Sequence, residues 1–358
     1  LTSATNPLGT TENFSYDNLG NRLTDNSGTY NYDGKFQKLQ SDAFYNYFYD
    51  NNGNLIRKYP KDISKPAYKY TYSSTNQLIR FEVLENMAGQ VIKQADYKYD
   101  VLGRRVQKQV TNLQNPSESY TRRYLYNGDN IFIELDEDND VLARYTHSPL
   151  MPDDLLAADI TPDGQSAGLA QSSGKYYALK DHLNSITDFA DSSGNVVQSY
   201  QYASFGKIVS VKDGNGVDVI NNPKVSLSFT YTGRELDSES GMYYYRARHY
   251  DSSTGRFLQQ DPDPGKTAQP NTLLSKYIYG ANSPVMFNDP SGRFGIIAAI
   301  VISGLVAGGV TALMGGTTEQ IINSMLFSAL STVVVLSGAW VAIAISGVAT
   351  GTTAAVSW

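Results

Sequence analysis

The chain contains no cysteine, which excludes a disulfide scaffold, thiolate metal sites and a cysteine nucleophile, and leaves the redox compartment open. Histidine is nearly as scarce. His147, His182 and His249 are too scattered to outline a zinc site, so no metal centre and no cofactor is expected. Charged residues make up 18% of the chain, and their balance is acidic, 29 Lys and Arg against 35 Asp and Glu. That balance gives no indication of a nucleic-acid partner. The sequence starts at Leu1 with neither a basic region nor an apolar leader, inside what reads as ordinary repeat sequence, so a piece of a longer polypeptide is expected.

Tyrosine and glycine are abundant. There are 27 Tyr against 13 Phe, with 30 Gly, a composition suited to many short strands joined by tight turns. The same unit recurs as YDNLGNRL at residues 16–23, YDNNGNLI at 49–56 and YDVLGRRV at 99–106, with weaker copies around Tyr32, Tyr72 and Tyr126. Each unit reads as a hairpin: an alternating strand ends at Tyr-Asp, Asn and Gly carry the turn, and an alternating strand returns. The Asp side chain is placed to bond backbone N–H groups two residues on. Single hairpins are marginal in water, so the units are expected to stack edge to edge into a long, twisted sheet.

These YDxxGN/R units resemble YD repeats, as found in RHS proteins, Tc toxin C subunits and teneurins. The resemblance continues through KDHLNSITDFADSSGNVVQSYQYASFGKIV at 180–209, where Asn184 stands in place of the family's Gly, and FTYTGRELDSESGMYYYRARHYDSSTGRFLQQDP at 229–262. It spans about residues 10–293. It implies an all-β fold in which YD-repeat hairpins form a spiralling β-sheet shell, with a core segment inside as a plug. The division expected is a YD-repeat shell over 1–170, an RHS-associated core over 171–293 and an apolar C-terminal segment over 294–358.

The resemblance also implies chemistry. Arg248, Asp261 and Asp289 match the arginine and two aspartates with which toxin members cut themselves, and the cut carried over by position falls between Arg293 and Phe294. Asp263, in the same DPDPG string, is the alternative to Asp261. Two carboxyls sharing a site cannot both ionise easily, so one keeps a proton for the scissile carbonyl while the other activates water. Two departures stand out: 28 residues separate Asp261 from Asp289, longer than usual, and Arg293 replaces a leucine before the cut, where an apolar pocket would accept a guanidinium poorly. By local chemistry alone, Asp-Pro-x-Gly at 289–292 is a common turn. His182, His249 and the acidic run LDEDND at 135–140 read as a turn residue, a packed histidine and a solvated hairpin turn.

Every basic residue lies at or before Arg293, and residues 294–358 hold one charged side chain, Glu319. Residues 294–314 are uncharged over a length that would span a bilayer core as a helix, and Gly304 and Gly308 offer a close-contact face. A hydrophobic helical hairpin is expected there. The resemblance makes this segment the shell's own cargo, in a secreted effector delivered to a target cell, with further RHS shell supplied by a preceding part or another polypeptide. Two other readings stand beside it: a structural or adhesive YD-repeat protein without chemistry, and a β-domain anchored in a membrane by its tail.

Overall fold

The computed structural model describes residues 1–34, 37–149, 153–263 and 276–293. The apolar segment expected to form a helical hairpin, Phe294 included, lies outside them. Among the described residues no helix is long and apolar enough to cross a membrane. The longest element of the fold is a sheet of sixteen antiparallel strands from Asn31–Tyr32 to Ile208–Asp213, each paired with its neighbours in sequence. It crosses residue 170 without a break. A separate four-stranded sheet follows, built from Glu235–Asp237, Met242–Tyr245, Arg248–Asp251 and Arg256–Phe257.

Local chemistry accounts for the hairpins. Asp17 Oδ1 accepts the amides of Leu19 at 2.9 Å and Asn21 at 2.8 Å, and Asp100 Oδ1 accepts those of Leu102 and Arg104, both at 2.9 Å. The third residue after each Asp takes the left-handed conformation that only glycine adopts without strain, with φ of +81° at Gly20 and Gly103. Asp136 organises the acidic run in the same way, accepting the amides of Asp138 and Asp140, which makes it a hairpin turn. The register shifts immediately before Tyr49, Tyr72, Tyr99, Tyr126 and Tyr202, and such bulges add right-handed twist at every repeat.

The preference for Tyr over Phe has a structural cause. The Tyr72, Tyr99 and Tyr126 hydroxyls donate to the carbonyls of Leu55, Leu78 and Arg105 in the preceding unit, at 2.9, 2.6 and 2.8 Å. Each repeat is thus tied to the one before it by a bond that Phe cannot make. Tyr99→Phe, which strips one such bond and leaves the Leu78 carbonyl short of a donor, is expected to lower the unfolding free energy by about 1 kcal/mol in a denaturant titration.

The N-terminal hairpin meets the turn before the last strand of the long sheet. Ser204 donates through its amide and hydroxyl to Glu12 at 2.9 and 2.7 Å, and the Phe14 and Phe205 rings meet edge-on at 5.2 Å. The core segment bridges the rim formed by the YD turns. Asn282, Tyr277, Tyr244 and Tyr243 donate to the carbonyls of Gly20, Gly53, Gly103 and Gly206, four turns distributed along the array.

Candidate functional site

Arg248 sits on a strand of the small sheet, 1% exposed, with its guanidinium carbon 3.6 Å from the centre of the Phe257 ring. Phe257 lies on the neighbouring strand Arg256–Phe257, so the platform is set by the hairpin between the two. Asp261 follows that strand, its backbone N–H donating to the Lys276 carbonyl at 2.9 Å. Asp289 opens the turn that ends the described core, with the Gly292 amide on its carbonyl at 3.2 Å.

Both acids converge on one nitrogen. Arg248 Nη2 lies 3.0 Å from Asp261 Oδ2 and 3.1 Å from Asp289 Oδ2, so the two oxygens are no more than about 6 Å apart. Asp289 serves the turn with one oxygen and faces Arg248 with the other. Its Oδ1 accepts the Arg293 amide at 3.0 Å, as a turn residue would, while its Oδ2 faces Arg248. Asp263 is exposed and enters through its backbone: its amide donates to Asp261 Oδ1 at 2.9 Å and its carbonyl accepts Lys276 Nζ at 2.8 Å.

One guanidinium against two carboxylates leaves a buried site with excess negative charge unless a proton is held. Burial raises the pKa of Asp289, and Asp261 adds to the rise while Arg248 opposes it. Burial also weakens the protonated form of Arg248, against the pull of both acids. Burial therefore disfavours the charged forms of Asp289 and of Arg248 alike.

The segment 289–293 is held flat against the strand end. Arg248 also donates from Nε to the Gly292 carbonyl and from Nη1 to the Lys276 carbonyl at 3.1 Å. Gly292 has φ of +67°, and a Cβ there would lie 2.1 Å from the Tyr245 carbonyl oxygen, so glycine is required on both counts. Arg246 donates to the Pro290 carbonyl at 2.7 Å while binding Asp153, which Arg234 also binds at 2.7 Å. Sequence reading had no claim on Asp153, Arg234 or Arg246. Arg246 lies two positions before Arg248, but nothing local links it to Asp153, 93 positions away. Arg293 is exposed, so its guanidinium needs no apolar pocket on this side of the cut.

A model of the teneurin YD-shell family matches residues 163–285, the stretch that holds Arg248 and Asp261 and stops just short of Asp289. The chain resembles the RHS/YD-repeat family. It is 29% identical over 307 residues to the tRNA3(Ser)-specific nuclease WapA of Bacillus spizizenii, a match covering 82% of this chain and 11% of that protein. It is 28% identical over 311 residues to the double-stranded DNA deaminase toxin A of Burkholderia cenocepacia, covering 83% and 20%. The chain therefore spans a small fraction of the length of the curated relatives it matches. Among solved structures it resembles the Tc holotoxin pore of Photorhabdus luminescens, with 15% identity, 80% of this chain and 17% of that one covered, and a TM-score of 0.47.

The remaining histidines of this YD-repeat chain stand apart from the acid pair. His182 Nε2 is 2.9 Å from the Val285 carbonyl oxygen, and the turn that carries it is held by Asp181, so it tethers a shell turn to the core. His249 projects from the face of its strand opposite to Arg248 and packs among Tyr97 and Tyr244. Burial pushes its pKa down to about 3, with Asp237 only partly opposing. The unfolded chain therefore binds a proton here at pH values where the folded one does not, so stability falls as pH drops from 6.5 toward 3. His249→Phe should flatten this decline by up to about 1.4 kcal/mol per pH unit, measured by urea unfolding across that window.

Proposed function

We propose that the chain is the C-terminal shell-and-core part of an RHS-type toxin-delivery protein that cuts itself once, between Arg293 and Phe294. The observation that carries this reading is the convergence of Asp261 and Asp289 on one buried nitrogen of Arg248, beside the backbone leading to the cut. An acid pair holding one proton protonates the scissile carbonyl and draws a proton from the attacking water. Arg248 keeps the two carboxyls together and, through the Gly292 carbonyl, keeps the peptide in register with them. The relatives described as a nuclease and a deaminase toxin support a role in toxin delivery.

The cargo in this reading is residues 294–358, whose one charged residue, Glu319, offers little for nuclease or transferase chemistry and points to action on a membrane. Enclosure within a shell, completed by further YD-repeat sequence, keeps so apolar a segment from aggregating, and secretion to a target cell follows from the same reading. Denaturing electrophoresis with mass measurement tests the proposal through release of a 65-residue piece. An intact wild-type chain would instead assign it a structural or adhesive role, for which the tyrosine ties and the rim contacts suffice.

A further inference from the structure

Asp289 is engaged by groups other than the Arg293 carbonyl oxygen, the atom that must be protonated in the cut. Asp289 Oδ2 faces Arg248, and its Oδ1 takes the Arg293 amide. The group that does reach the carbonyl is a hydroxyl. Ser291 Oγ lies 3.1 Å from Arg293 O, 3.3 Å from Asp289 Oδ1 and 3.2 Å from the Arg293 amide nitrogen. It stands between the buried acid and the reacting carbonyl, within hydrogen-bond distance of both.

Resting on the self-cleavage reading, we propose that Ser291 is a catalytic residue that relays a proton from Asp289 to the Arg293 carbonyl. A hydroxyl has one hydrogen to give and two lone pairs to receive, so it can accept from a protonated carboxyl while donating to a carbonyl. As water adds to the Arg293 carbonyl carbon, Asp289 gives its proton to Ser291 Oγ, and Ser291 passes its own to the carbonyl oxygen. Asp261 takes the proton lost by the water. On collapse the C–N bond between residues 293 and 294 breaks, Asp261 returns its proton to the leaving nitrogen, and the proton on the oxygen goes back through Ser291 to Asp289. The sum is one peptide bond and one water converted to a carboxyl and an amine, with every side chain restored.

Asp289 sits in the buried interior while Ser291 is exposed at the surface of the turn, so Ser291 can be altered without emptying the core. The turn itself is closed by the Gly292 and Arg293 amides on Asp289, which do not need the hydroxyl.

The test follows release of the 65-residue fragment over time after pulse-labelled cell-free synthesis of the full chain. Ser291→Ala is expected to slow release by about 100-fold, in the range lost when a donor to a developing oxyanion is removed. Ser291→Thr, which keeps a hydroxyl, is expected to cut at close to the wild-type rate. Equal slowing of both variants would overturn the relay, since Ser291→Thr keeps the hydroxyl that Ser291→Ala lacks. Wild-type speed in Ser291→Ala, with Asp289→Asn still whole, would overturn the relay and leave self-cleavage standing. A wild-type chain that stays intact would overturn both.

Discussion

Asp289→Asn is expected to leave the 358-residue chain whole under conditions in which the wild type releases residues 294–358. The substitution preserves shape. An asparagine side-chain oxygen still accepts the Arg293 amide, so the turn at 289–292 persists, and Gly292 keeps its place against Tyr245. What disappears is the ability to hold and release a proton. The amide also replaces one of two acids facing a single guanidinium, so the site loses the excess negative charge that favours proton sharing. Loss of positioned proton transfer costs about 10² to 10⁴ in rate, which in a single cut in cis reads as an intact band. Detection of the 65-residue fragment from the folded variant would remove Asp289 from the mechanism.

The second large effect concerns stability. Arg105→Ala is expected to lower the unfolding free energy by about 3 to 5 kcal/mol, the range found when one partner of a buried charge cluster is removed. Arg105 is fully buried where the shell meets the core, with Nη1 2.6 Å from Asp237 and Nη2 2.7 Å from Glu235. Its guanidinium carbon stands 4.4 Å from the Tyr244 ring centre. Lys108 binds Asp237 at 3.0 Å and Glu239 at 3.3 Å, but Glu235 would lose its charged partner. The wild-type network outweighs the cost of burial at Asp237 and holds its carboxyl below the usual range.

A lowered carboxyl pKa contributes stability that is complete above the unfolded value of 3.8 and fades as pH falls toward the folded one. The deficit of Arg105→Ala should therefore be full at neutral pH and shrink below about pH 4. Urea unfolding at pH 7 and near pH 3 measures it. An equal deficit at both would show that lost packing, not lost charge pairing, is the cause.

Much of the shell could be read from local pattern. The Tyr-Asp-x-x-Gly spacing specifies its own turn, because the Asp side chain bonds amides two and four residues on, and the Gly supplies positive φ. Arg22 and Arg105 occupy the same position of their units, two residues after the Gly, and both are buried. The repeat hinted at that placement only by position. Nothing in either unit names Phe205 as the ring over Arg22, at 4.1 Å, or Asp237 as the partner of Arg105.

The hairpins, the antiparallel pairing of strands that follow one another in the chain, and the compositional break after Arg293 were set by the sequence alone, since each depends on residues within about thirty positions of one another. Tertiary structure decided the meeting of Glu12 with Ser204, the clamp of Asp153 by Arg234 and Arg246, and the convergence of Asp261 and Asp289 on Arg248. Those contacts come from twist summed over sixteen strands and from a core segment bridging distant turns. Small angles added along a sheet select which far-separated side chains meet, and no local spacing encodes that sum.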